Sequence, residues 1–192
     1  STNPNVSVSM VGGYTAHVVP DADFNGSTSI TVEVSDGEAA SSASFNVTVS
    51  PVNDAPAMVA VSNISVLEET STGISLNATD IDGDTDFTFS ASSSSDLYTL
   101  SVSGSTLTIN PLQDKVGIGT VSVSANDTGG LSSSSISFDV VIENVNDAPV
   151  VSSIDDPSAV LEDGDNIVLS LSASDVDGDL VSFTANVGNE DL

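Results

Sequence analysis

Apolar and polar residues alternate with a period of two along most of this 192-residue chain. The pattern is clearest in Thr120-Val121-Ser122-Val123-Ser124-Ala125 and in Ser135-Ile136-Ser137-Phe138-Asp139-Val140, where Val, Ile and Phe take one side and Ser or Asp the other. Successive side chains of a strand point to opposite faces, so this alternation predicts strands with one face buried and one wet. Between residues 55 and 147 such segments, separated by Gly, Asn, Asp and Pro, predict strands near 58–66, 73–79, 86–92, 97–103, 106–110, 118–125 and 133–144. Seven short strands in about 90 residues describe an all-β, antiparallel sandwich of immunoglobulin type.

A longer period lies over the short one. Val52-Asn53-Asp54-Ala55-Pro56 returns as Val145-Asn146-Asp147-Ala148-Pro149, 93 residues on. Val66-Leu67-Glu68-Glu69 matches Val160-Leu161-Glu162-Asp163, and Ala78-Thr79-Asp80-Ile81-Asp82-Gly83-Asp84 matches Ala173-Ser174-Asp175-Val176-Asp177-Gly178-Asp179. Pro20 to Asp36 aligns with Pro111 to Asp127. Self-similarity at a fixed period marks a repeat architecture of tandem sandwiches. Residues 55–147 read as one complete repeat, 1–54 as the later strands of another, and 148–192 as the early strands of a third. Joined in the order 148–192 then 1–54, the partial stretches read as one unit. Each is therefore expected to be completed by an identical neighbouring repeat, head to tail, in a longer chain or by strand exchange between copies.

Composition narrows the function. Apolar residues make up 39% and aromatic ones only 4%, so the cores must be built from Val, Ile, Leu and Ala. Twenty-eight Asp and Glu stand against one basic residue, Lys115, for a formal net charge of −27. Nucleic acid and anionic membrane surfaces are poor partners, because both need Lys and Arg to meet phosphate. No apolar run reaches about 18 residues, so direct membrane insertion is not expected. The absence of Cys removes disulfides and thiolate metal sites.

Where the acids fall decides between two uses. Scattered acids serve solubility at high salt; clustered acids bind. More than half of them recur at equivalent positions of the repeat, in predicted loops at the two ends of the sandwich and beside the Asn-Asp linker. Several carboxylates in one place with no Arg or Lys cannot stay ionised and compact without a counter-ion. Ca2+ fits, being hard, oxygen-seeking and tolerant of irregular geometry from several loops. Zinc and copper do not, with no Cys and one His. The Asp80-Ile81-Asp82-Gly83-Asp84 run is not an EF-hand loop, which needs Gly at position 6 and Glu at position 12.

The order of Val66-x-Glu68, Ala78-Thr79-Asp80-x-Asp82, Pro111-x-x-Asp114, Asp127 after the sixth strand, and Asn146-Asp147-Ala148-Pro149 resembles the cadherin repeat, and more closely the cadherin-like repeats of large bacterial surface adhesins. The resemblance covers nearly the whole chain. It implies tandem cadherin-like Greek-key sandwiches with calcium between successive domains. By position, it implies a first junction of Asp21, Asp23, Asn53, Asp54, Asp80, Asp82 and Asp127, and a second of Glu68, Asp114, Asn146, Asp147, Asp175 and Asp177. Glu162 would serve a third junction, and Asp36 the same end of its repeat as Asp175. The second junction departs from the first in having Leu112 where Asp21 stands. The family pattern assigns no role to Glu69, Asp84, Asp163 or Asp179.

No enzyme is expected. His17 has no second His for a triad, there is no G-x-S-x-G elbow, and the carboxylate pairs recur once per repeat as structural devices do. The expected function is that of a calcium-stiffened extracellular rod, stalk or filament on a bacterial surface, supporting adhesion or biofilm attachment to a target the sequence does not name. The alternative is a module that binds a glycan, a protein or a surface through calcium.

Overall fold

The computed structural model describes residues 3–159, 163–164 and 166–186, and among these there are strands and turns but no helix. The first strands, β1 (Val6–Val11) and β2 (Thr15–Pro20), form a hairpin around Gly12 and Gly13, whose φ values of 62° and 80° lie in the left-handed region that glycine enters most readily. β3 (Gly26–Ser35) and β4 (Ala40–Val49) make a longer hairpin, in register from Gly26 opposite Val49 to Ser35 opposite Ala40. Next come β5 (Ala57–Met58), β6 (Ile64–Leu67), β7 (Thr72–Ser75), β8 (Ala78–Thr79), β9 (Thr88–Ser92), β10 (Tyr98–Ser103), β11 (Thr106–Pro111), β12 (Gly117–Asn126) and β13 (Ile136–Glu143). Two short strands, β14 (Val150–Val151) and β15 (Ala173–Ser174), follow.

Residues 55–147 supply a four-stranded sheet of order β6-β13-β12-β9, a three-stranded sheet of order β10-β11-β7, and the short pair β5-β8. The alternation read from the sequence holds: Val121, Val123 and Ala125 of β12 and Phe138, Val140 and Ile142 of β13 are buried, while the residues between them are less so. Ser and Thr on the outer faces pair across strands, as in Ser122 with Ser137 at 2.8 Å and Thr31 with Ser44 at 2.8 Å. Hydroxyl pairs thus link strands in a chain whose single Lys leaves almost no ion pairs for that role.

The strand expected at 58–66 is two strands. β5 pairs antiparallel with β8, whereas β6 pairs parallel with β13, Val140 opposite Ile64 through Glu143 opposite Leu67. The chain leaves one ladder before it can join the other, so residues 59–63 belong to no strand. The expected 73–79 strand divides likewise into β7, beside β11, and β8. Alternation cannot reveal such a change of partner, because side chains keep their in-out pattern while the hydrogen bonds change sheets. The parallel β6-β13 pairing also makes the sandwich not antiparallel throughout, and it covers an edge of β13 that would otherwise stay open.

By internal contacts the chain divides into two compact units: residues 1–60, 75–90 and 123–136, and residues 61–74, 91–122 and 137–192. In the first, Val6, Ile30, Leu76, Ala78, Val123 and Ala125 are buried; in the second, Val66, Tyr98, Leu107, Ile109, Val121, Phe138, Val140 and Ile142 are.

Candidate functional site

Each unit contains one Asn-Asp linker, and each linker meets the same turn in the same way. In the first unit Asp80 accepts the N–H of Asp82 at 2.8 Å, closing an Asx turn that Gly83 leaves with φ 88°. The turn presents Asp82 Oδ2 to the linker, where it accepts the N–H of Asp54 at 2.7 Å. In the second unit Asp175 accepts the N–H of Asp177 at 3.0 Å, Gly178 has φ 80°, and Asp177 Oδ2 accepts the N–H of Asp147 at 2.6 Å. The side-chain amides of Asn53 and Asn146 donate to the carbonyls of Asp54 and Asp147 at 3.2 and 2.8 Å.

Around the first linker the structure gathers all seven residues the sequence placed there. Asp21, Asp23, Asp54 and Asp82 line a cleft of about 230 Å³, and Asp23, Asp54 and Asp80 line a neighbouring one. Asn53 Nδ2 also donates to Asp127 Oδ2 at 2.8 Å, and Asp127 Oδ1 accepts the N–H of Leu131 at 2.8 Å. Burial works to raise the Asp127 carboxyl. Hydrogen bonds from Asn53 and from the N–H groups of Leu131, Gly130 and Gly129 outweigh it and hold the group below its ordinary value. Asp54 goes the other way, raised first by withdrawal from water and then by the charges of Asp23, Asp82 and Asp80.

The second linker gathers Glu68, Asp114, Asn146, Asp147, Asp175 and Asp177 in one unit. Asp114, Asp147 and Asp175 line a cleft of about 350 Å³. Glu68 is 1% exposed, and its Oε1 accepts the N–H of Val145 at 2.9 Å. Asp147 is raised by withdrawal from water and by Asp114, Asp177, Glu68 and Asp175. Asp36 stands apart from both sets, its Oδ1 accepting the N–H groups of Glu38 and Ala39 in its own loop, which lowers its carboxyl. Glu162 lies outside the described residues.

Both sets leave a buried oxygen unanswered: Asp80 Oδ2 and Glu68 Oε2 have no hydrogen-bond partner. The sole Lys does not relieve either, since Lys115 pairs with Asp96 at 3.8 Å. Clustered carboxylate oxygens, unpaired acceptors and no cation of the protein's own form a donor set suited to a hard divalent ion.

Two residues escaped the sequence reading. Glu69 was assigned no role, yet its carboxylate lies with those of Asp114 and Asp147, ligand atoms all within 4.8 Å of one another. Its recurrence as Asp163 was the available signal: both residues sit at left-handed φ, 61° and 62°. Gly129 carried no signal at all. A Cβ there would collide with the side-chain amide of Asn53, which comes from 76 positions away in the sequence.

Residues 53–139 match the bacterial Ig domain family. No curated protein matches the chain by sequence. Among solved structures, mouse protocadherin-24 EC1-3 is similar at a TM-score of 0.54, with 20% identity over 92% of this chain and 65% of that one. Drosophila N-cadherin EC1-4 is similar at 0.52, with 15% identity over 92% and 49%. Surface layer protein SbsC, domains 4-9, reaches 0.40 with 20% identity over 87% and 26%, too low to carry an argument. The chain spans less than two thirds of each of these three. The all-strand architecture and the two cadherin likenesses establish an immunoglobulin- and cadherin-like β-sandwich fold.

Proposed function

We propose that this chain is a non-enzymatic segment of a calcium-stiffened extracellular stalk or filament, with calcium held at each Asn-Asp linker. One observation carries the reading: the same constellation, linker N–H on the second Asp of the D-x-D turn amid unneutralised carboxylates, is built twice. A binding pocket is needed once; a stiffener is needed at every hinge. Without calcium the like charges repel and the linker loosens, while calcium stabilises the ordered linker by binding it preferentially. Pro56 and Pro149 each follow a linker Asn-Asp pair and restrict the backbone there.

The chemistry of the donor set supports calcium, since it contains oxygens alone and includes two buried ones without partners. Small-angle X-ray scattering during a calcium titration against a chelator tests the reading. The expected result is a larger maximum dimension and less bending at unchanged mass, weakened by Asp82→Ala or Asp177→Ala without loss of strand content. An identical scattering profile with and without calcium would remove it. The clefts beside the carboxylates favour a second reading, a calcium-dependent binding module on the same extracellular protein, for which calcium uptake without any change in shape is the expected sign.

Neighbouring repeats belong to the same proposal. Val34 and Phe45 occupy, in β3 and β4, the places that Ala125 and Phe138 take in the complete repeat; they are 70% and 45% exposed, against 0% and 3%. Leu171 is 42% exposed, while its counterpart Leu76 is 3% exposed. In the complete repeat β9 lies beside β12 and β6 beside β13, the strands that carry Ala125 and Phe138. We read the bare faces as covered by the equivalent strands of an identical neighbour, head to tail, in a longer chain or from another copy. Sedimentation of the 192-residue chain is expected to show self-association that Phe45→Asp weakens. A monomer whose β3-β4 amides exchange as slowly as those of β12-β13 would show that no neighbour is needed.

A further inference from the structure

Glu69 stands outside the set that the repeat pattern assigns to the second linker, and the structure brings it in. Its carboxylate, with those of Asp114 and Asp147, offers one oxygen within 4.8 Å of each of the other two, and no basic side chain enters the group. An independent observation points to a ligand at the same place. Glu68, the adjacent residue, is 1% exposed and uses Oε1 on the N–H of Val145, two residues before Asp147. Its Oε2 remains buried without a donor, and its charge bears on Asp147. A buried carboxylate oxygen without a donor, one residue from Glu69 and with its charge bearing on Asp147, is costly unless a cation answers it.

Comparing the linkers shows where the second is one carboxylate short. The first has Asp21 and Asp23 in its cleft, whereas at the same two positions the second has Leu112 and Asp114. Asp23 and Asp114 share a left-handed backbone, φ 62° and 56°, so the two turns are built alike and differ by one carboxylate.

We propose that Glu69 is a direct calcium ligand at the second linker, supplying from the turn after β6 the carboxylate that Leu112 withholds. This rests on the calcium reading above. Ligand charge count tunes calcium affinity, so the second site keeps its charge by drawing on a different loop.

The test is calcium titration by calorimetry on the whole chain, comparing wild type, Glu69→Gln, Leu112→Asp and the double variant, with Glu33→Gln as a control for the loss of one charge. Glu69→Gln is expected to weaken one class of sites by at least about tenfold, since even outer partners of a bound metal are worth 10–100-fold. Glu33→Gln should leave affinity near wild type, and adding Leu112→Asp to Glu69→Gln should restore it. Wild-type affinity in Glu69→Gln, alongside loss in Asp114→Asn, would overturn this inference and leave the calcium reading standing. A weakening that Leu112→Asp does not repair would overturn the replacement of one carboxylate by the other. No calcium uptake by the wild type would overturn both.

Discussion

Withdrawn from water and set among like charges, the carboxyls of Asp54 and Asp147 hold their protons to higher pH than an ordinary aspartate. The folded chain therefore binds protons more tightly there than the unfolded one, and its penalty is fully present above the raised values. Without calcium, stability is expected to rise as pH falls from neutrality towards 3.8, the ordinary value. Below that, Asp36 and Asp127, whose carboxyls are lowered, withdraw their contribution as they protonate. With calcium the slope reverses, because protons compete with the ion for the same oxygens. Thermal melts across this range, with calcium and with chelator, check the sign; parallel slopes would count against calcium at the linkers. Gly129→Ala is argued at the same scale. Its Cβ displaces Asn53, Asp127 loses a donor, and the Asp127 carboxyl is expected to move up in an NMR titration, with calcium affinity at the first linker falling several-fold.

At the scale of elements, the strands divide into those whose apolar face is covered and those whose face is bare. Leu107 in β11 is 0% exposed, and Leu107→Ala is expected to cost about 2–5 kcal/mol in denaturant unfolding. Val34 in β3 carries the same kind of alternation but is 70% exposed, so Val34→Ala is expected to cost no more than about 0.5 kcal/mol at dilutions where the chain is monomeric. A cost for Val34→Ala approaching that of a core residue would mean that a neighbour already covers β3. The two hairpins β1-β2 and β3-β4 have the sequences of interior strands without the partners that β10 to β13 enjoy.

For the whole molecule, a formal charge of −27 with a single Lys makes counter-ions part of the folded state. Screening reaches about 10 Å at 0.1 M salt and about 3 Å at 1 M. In chelator, raising sodium chloride through that range is expected to raise the melting temperature. In calcium the same change should have little effect, because bound ions already neutralise the crowded linkers. An equal salt response in both conditions would assign the acids to general salt adaptation. Most of the candidate site was legible beforehand, since a carboxylate that recurs at one place in each repeat declares its position without any coordinates. Glu69 was less legible because, beside Glu68, its place next to Asp114 and Asp147 depends on a left-handed turn.

Alternation, the 93-residue period and the recurrent acids were properties of the sequence alone, because each depends only on local residue order: strand faces, turn chemistry and repeat register. The tertiary structure decided what depends on partners distant in the chain. It divided 58–66 into β5 and β6 by giving them different neighbours, seated Asn53 against Gly129 and Asp127, and left one oxygen of Glu68 buried without a donor. Hydrogen-bond partners, steric contacts and burial arise only when the chain folds back on itself, and no periodicity encodes them.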